Sequence, residues 1–375
     1  MIYLDHAATA PVWPQVTDAV VRHLTEGFAN PSALYSGARD ARKAIESARE
    51  LIAEAFTARP EEVIFTSGGT EADNIALLGS ARRLAPQGRT TIVVSAVEHH
   101  AVLEAAAALS EEGLEVRMAP VTSAGVVDLD RLSDLVDSKT SVVSVMAANN
   151  ETGVVMPLDG VAEIAHAAGA LLHTDAVQAL AWLDLRGCLA DMIAVSAHKI
   201  GGPKGVGALI VRRGSRPQPI QHGGGQERGI RPGTLNTPGI AGFGAALEQV
   251  LADREAAARV RSLRDHLQGQ LSGRIDGLII NGHDAPRLPG HLHMCIPGVE
   301  NQSLLLLLDS EGLAASGGSA CQSGAAEPSH VLLAMGHDTK MALSALRLSL
   351  GRATTRDEVD EAARIITRAV ERLSA

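Results

Sequence analysis

From about residue 40 to residue 250 the apolar positions switch back and forth between a helical and a strand period. The stretch ARDARKAIESARELIAEAF (38–56) repeats its apolar residues at helical spacing, EEVIFTS (61–67) is a short buried-strand run, and TEADNIALLGSARRLA (70–85) is helical again. TTIVVSA (90–96), SVVSVMAA (141–148), GALLHTD (169–175) and DMIAVSA (191–197) follow as β-branched or aliphatic runs of strand length, mostly separated by helical segments. The alternation predicts an α/β fold with a largely parallel sheet covered on both faces. Beyond residue 250 the pattern changes: HLHMCIPG (291–298) reads as a strand, NQSLLLLLDSEG (301–312) as a helix, and SGGSACQSGAAEP (316–328) as a loop of small residues. A domain boundary is expected near residue 250. The final helix is signalled by Thr355 and Glu358, which match a capping box, and by Val359, Ala362, Ile366, Ala369 and Leu373 on one face.

Composition narrows the class. The chain has 375 residues, of which 46% are hydrophobic, 20% charged and only 2% aromatic, so the core must be built from Ala, Val, Leu and Ile. No apolar run approaches the ~20 residues that span a bilayer, and MIYLDHAATA lacks a basic region followed by an apolar stretch. A cytoplasmic protein with no membrane contact is expected. The net charge of −10 offers no basic footprint for direct nucleic-acid binding. Cys188, Cys295 and Cys321 are far apart and without metal-type spacing, which predicts free thiols, no disulfide framework and no metal site.

In an open parallel sheet, ligands bind beyond the carboxyl ends of the strands, so the polar residues that follow each strand run carry the chemistry. Here they are Ser67-Gly68-Gly69-Thr70, Glu98-His99-His100, Asn149-Asn150-Glu151, Asp175 with Gln178, and His198-Lys199. Taken singly, each has an ordinary structural reading: a glycine turn capping a helix, a packed and a solvated histidine, an asparagine turn, an aspartate N-cap, a surface lysine. Together they match one cofactor. Pyridoxal 5′-phosphate needs a lysine for its Schiff base, a carboxylate opposite the pyridine nitrogen, an anion cradle and something flat over the ring. Lys199, Asp175, Gly69-Thr70 and His99 supply one of each.

Along almost its whole length the sequence resembles the cysteine desulfurases of the NifS/IscS type, within the class V aminotransferase group. The resemblance runs through YLDHAATAP, NPSALYSGARDARKAIESAR, FTSGGTEADN, VEHHAVL, ANNETGVVMP, HTDAVQ, SAHKIGGPKGVG, GGGQERGIRPGTLN, SGGSACQSGAAEPSHVLLAMG and LRLSLGRAT. It implies a fold-type I pyridoxal-phosphate-dependent transferase. The large domain, residues 15–250, would hold a mainly parallel seven-stranded sheet; residues 1–14 and 251–375 would form a smaller α+β domain carrying a catalytic cysteine loop. By motif, Lys199 forms the Schiff base, His99 stacks on the ring and carries a proton, Asp175 faces the pyridine nitrogen, and Gln178 and Asn150 lie on the ring-hydroxyl side. Asn150 also borders the substrate. Gly69, Thr70, Ser196 and His198 hold the phosphate, and Thr234 reaches the phosphate of a neighbouring subunit, which implies a homodimer. Arg347 grips the substrate carboxylate. Ala10 stands where a second threonine is common, and Tyr35 where many members carry histidine.

The resemblance assigns Cys321 as the sulfur-receiving nucleophile, and its surroundings fit that work. Gly317, Gly318 and Gly324 with small neighbours make a segment without strand or helix pattern, suited to a thiol that visits a substrate and then a second protein. The expected activity is conversion of L-cysteine to L-alanine, with sulfur held as a persulfide on Cys321 and passed to a sulfur-acceptor protein, an iron-sulfur scaffold or a thiolation protein. An aminotransferase or selenocysteine lyase of the same fold, or a silent scaffold, are the competing expectations.

Overall fold

The structure, a computed structural model, describes residues 1–318 and 327–374. Its centre is a seven-stranded sheet ordered, from one edge to the other, Val63–Thr66, Gly207–Val211, Met192–Ser196, Leu171–Asp175, Thr140–Ser144, Thr91–Ser95 and Glu115–Ala119. Six strands run parallel to one another; Gly207–Val211 alone is antiparallel to both neighbours. The α/β architecture and the mainly parallel seven-stranded sheet are those expected.

Successive strand residues pack to opposite faces, as the pleat demands. Val63, Phe65, Val93, Val143, Ile193 and Val195 join the helices Ser36–Ala55, Leu158–Ala167 and Thr237–Ala252 in one core. Ile64, Ile92, Val94, Val142, Met192 and Ala194 join Gly69–Leu84 and His100–Glu111 in another. Strands buried on both faces need uninterrupted aliphatic runs, which is why they were legible. Two strands were not singled out. Glu115–Ala119 sits at the sheet edge with charged, part-exposed positions, and Gly207–Val211 follows directly on a glycine-rich turn.

A third core lies under the helices Ala256–Ser272, Asn301–Ser310 and Arg356–Ser374, against the antiparallel strands Ile279–Ile280, His291–Cys295 and Ala345–Ser349. The N-terminal strand Ile2–Tyr3 pairs with Leu313–Ala314, and Leu4 belongs to this core. In the last helix Thr355 and Glu358 make both capping-box bonds: the Thr355 N–H donates to Glu358 Oε2 at 2.8 Å and the Glu358 N–H to Thr355 Oγ1 at 3.3 Å. Val359, Ala362, Ile366 and Ala369 are buried as expected, whereas Leu373, in the final turn, is 36% exposed because the core ends before it. Among the described residues no helix is long and apolar enough to cross a membrane.

Candidate active site

The carboxyl ends of Leu171–Asp175 and Met192–Ser196 open on a cavity of about 410 Å³. Gly69, Thr70, His99, Asn150, Asp175, Gln178, Ser196, His198, Lys199 and Arg347 all line it, brought together from positions up to 278 residues apart in the chain (347 − 69). One expected residue cannot be placed against it and another lies elsewhere. Cys321 lies outside the described residues, although Gly318 before that segment and His330 after it border the cavity. Thr234 is exposed and lines a separate depression of about 240 Å³ with His23, Phe28 and Pro31.

Lys199 sits on a single 3-10 turn, Ala197–Ile200, that closes the buried strand Met192–Ser196 and ends at Gly201 with φ +81°. Only glycine suits that conformation here, since a Cβ on Gly201 would lie 2.2 Å from Trp13 Nε1. The N-terminal segment laces over the turn: Trp13 Nε1 donates to the Ile200 carbonyl at 3.1 Å, and the Ala10 N–H to the His198 carbonyl at 2.9 Å. Lys199 Nζ donates to the carbonyls of Ala7 at 2.6 Å and Ala8 at 2.9 Å. Burial first, then the positive charge of Arg347, brings its pKa from 10.5 to about 8, against the opposing pull of Asp175 and Asp5. A neutral amine is therefore available near physiological pH, as imine chemistry and proton abstraction require.

Asp175 ends its strand and accepts the Val177 N–H on Oδ1 at 2.8 Å. Burial, reinforced by the neighbouring Asp73, pushes its pKa up to about 7. A carboxyl so placed has no ion-pair partner in contact among the described residues, and a protonated pyridine nitrogen would provide one. At the other end, Ser67-Gly68-Gly69-Thr70 opens the helix Gly69–Leu84 on an outward depression of about 460 Å³, which Ser196, His198 and Lys204 also line. Unpaired first-turn N–H groups, hydroxyls and a lysine suit a phosphate dianion. A Cβ on Gly69 would lie 2.6 Å from Val177 Cγ2, so glycine is required for the cradle to pack against the Asp175 turn.

His99 caps the helix His100–Glu111, its Nδ1 accepting the Ala101 N–H at 3.1 Å. That bond assigns the proton of the neutral ring to Nε2. Burial, then the charges of Lys199, His100 and His330, lowers its pKa to about 4, so it stays neutral. Gln178 Nε2 donates to the Ala7 carbonyl at 2.8 Å. Arg347 is held by Nη1 on the Asn150 carbonyl and Nη2 on Asp5 Oδ1, both at 2.9 Å, while its buried Nε has no partner among the described residues.

Two acids, one holding Arg347 and one in the cavity wall, were missed in the sequence. Asp5 reaches Arg347 across 342 positions, and nothing local marks it. Asp73 is hidden inside a helix. Glu151, named in the sequence after its strand run but given no role there, is raised in pKa by burial and accepts the Ser329 hydroxyl on Oε2 at 2.6 Å. A further cavity of about 300 Å³, walled by Trp13, Trp182 and prolines, shares Ala7, Gln178 and Lys199, but it is mainly apolar and lacks the anion cradle.

A strand-end lysine facing a buried carboxyl, beside a helix that opens on an anion cradle, defines a pyridoxal-phosphate enzyme. The family model for class-V aminotransferases matches residues 2–362, and the chain belongs to that family. It is similar to the IscS-like cysteine desulfurase of Mycobacterium tuberculosis, 44% identical over 382 residues that cover 99% of this chain and 97% of the relative. Among solved structures, a NifS-like protein superposes with a TM-score of 0.91 at 36% identity, covering 99% of both chains. SspA in complex with cysteine superposes with a TM-score of 0.83 at 30% identity, covering 95% of this chain and 100% of that one. Class-V aminotransferases work with pyridoxal 5′-phosphate, and the donor set of this cavity fits it at each end.

Proposed function

We propose that this protein is a cysteine desulfurase, converting L-cysteine to L-alanine and carrying the released sulfur as a persulfide on Cys321. The observation that carries the proposal is the placement of Lys199, Asp175 and Arg347 around one cavity, bordered by both flanks of the segment that holds Cys321. Similarity to named cysteine desulfurases over the whole chain supports it.

Pyridoxal 5′-phosphate, when bound, supplies an electron sink next to the substrate α-carbon. The chain's residues do the rest. Asp175 would hold the ring nitrogen's proton, Gly69, Thr70, Ser196 and His198 would hold the phosphate, Gln178 and Asn150 would border the ring hydroxyl, and His99 would cover the ring. Arg347 grips the substrate carboxylate with its planar fork, Asn150 lining the cavity beside it. Neutral Lys199 removes the α-proton at Nζ, and His99 holds a proton at Nε2 for delivery. The Cys321 thiolate attacks the substrate sulfur; the C–S bond breaks, its electron pair returns to the substrate carbon, and that carbon ends with one more proton as alanine. The sum is one thiol and one cysteine giving one persulfide and one alanine, with no external oxidant.

Three further readings belong to the proposal. The protein acts as a homodimer in which Thr234 reaches the partner's phosphate, which is supported by Leu24 at 62% and Phe28 at 79% exposure beside it. It acts in the cytoplasm, where free thiols such as Cys188 and Cys295 persist. The acceptor is a protein, an iron-sulfur scaffold or a thiolation protein. The catalytic proposal is tested by supplying L-cysteine and a thiol reductant with no keto acid. Alanine and sulfide are expected in equal amounts, and Cys321→Ser is expected to bind cysteine without turning it over. Full activity in that variant, or a requirement for keto acid, contradicts the assignment.

A further inference from the structure

Beside Asp175 the cavity wall carries a second acid that the reaction above does not use. Asp73, in the second turn of the helix Gly69–Leu84, is 1% exposed and lines the same cavity. Its Oδ1 lies 3.3 Å from Nε2 of His173, within ion-pair range but without hydrogen-bond alignment, and neither atom has a hydrogen-bond partner among the described residues. His173 is fully buried, and its Nδ1 is 2.9 Å from Ser144 Oγ. It stands two residues before Asp175 on one strand, so both side chains leave the sheet on the face covered by the helix that carries Asp73.

The charges facing this group come from every element around it. Glu98, also buried, accepts the Met146 N–H on Oε1 at 2.6 Å, Asp175 lies on the same strand, and Lys199 is the cation on the adjoining turn. Three carboxyls cannot all ionise in so dry a place with one lysine among them. Burial raises Asp73 and Glu98 well above the usual carboxyl range and lowers His173 to about 4, all toward neutral forms.

We propose that Asp73 and His173 are positioning residues that form a neutral acid–imidazole pair. Asp73 donates its proton to Nε2 of His173, and the Nδ1 proton of His173 goes to Ser144, so the cofactor's ring nitrogen faces a single negative charge, that of Asp175. The chain Ser144–His173–Asp73 also fixes the strand end from which Asp175 projects. This rests on Asp175 as the partner of the ring nitrogen.

Difference infrared spectroscopy of the cofactor-free protein reads the pair directly. Asp73→Asn is expected to remove one carbonyl band of a protonated carboxylic acid, distinct from the band that Glu98→Gln removes. In the holoenzyme, Asp73→Leu is expected to lower turnover about tenfold, with much of the loss restored in Asp73→Asn, whose amide still donates to Nε2. The pH midpoint of the cofactor's visible absorption is expected to stay within about half a unit in Asp73→Asn, because no charge is removed. No loss of an acid band, or a fall of that midpoint by about one unit or more, would show an ionised Asp73 and overturn the proposal. Should the Asp73 variants not fold, the imidazole nitrogen resonances of the unaltered protein decide: a neutral His173 at pH 7 supports the pair and an imidazolium overturns it. The infrared and nitrogen signals need no cofactor, so they separate failure of the pair from failure of Asp175's role.

Discussion

Asp175 and Arg347 show how burial prepares single residues for their partners. Asp175 has a folded pKa of about 7 against 3.8 for the free side chain, so between those values the folded protein holds a proton that the unfolded chain releases. Its contribution to stability is complete below about pH 4 and is lost as pH rises through 7. Asp175→Asn is therefore expected to raise the melting temperature of cofactor-free protein at pH 8 by more than at pH 5, as calorimetry at the two pH values would measure; an equal change would show that Asp175 is ionised throughout. The same variant should lose cofactor and turnover, since the ring nitrogen then meets no charge. Arg347 is aligned by the Asn150 carbonyl and by Asp5. Arg347→Lys keeps a charge but loses the fork, and KM for cysteine is expected to rise about ten- to a hundredfold, the scale of lost charge-assisted hydrogen bonds. An unchanged KM in steady-state assays would remove Arg347 from the substrate carboxylate.

At the scale of elements, the site depends on strand ends and on a strap from the N-terminus. The strand ends were legible because their runs are aliphatic on both faces and stop at polar residues: Thr66, Ser95, Ser144, Asp175 and Ser196 each close a strand. The strap was not legible. Residues 5–13 carry no helical or strand period; they act by lending the carbonyls of Ala7 and Ala8 to Lys199 and the indole of Trp13 to the turn behind it. The same limit hid Asp73 and His173, whose meaning arises only when a helix settles on a strand from another part of the chain. Gly201→Ala tests the strap. With a positive φ and Trp13 in the way, it is expected to lower stability by about 1 kcal/mol or more and to loosen cofactor retention. Thermal unfolding and equilibrium dialysis measure the two effects, and native values for both would show that the strap is dispensable.

At the scale of the whole molecule, Lys199 and Asp175 come from the central sheet, whereas Arg347 comes from the strand Ala345–Ser349 that packs in the C-terminal core. The cavity thus lies where two cores meet, and the segment holding Cys321 leaves and returns along its rim at Gly318 and His330. Thr234 lines a separate depression, which leads to a prediction about assembly. Thr234→Ala and Lys199→Ala chains should each be impaired alone, while mixed dimers regain one intact site, restoring roughly a quarter of native sites. No recovery after subunit exchange would count against a shared site. The central claim, that sulfur leaves cysteine for Cys321, is tested most directly by a single turnover without reductant, quenched by alkylation, with alanine counted and the peptide bearing Cys321 weighed by mass spectrometry. One alanine released for each sulfur atom added at Cys321 is the predicted result; alanine formed with Cys321 unmodified would contradict it.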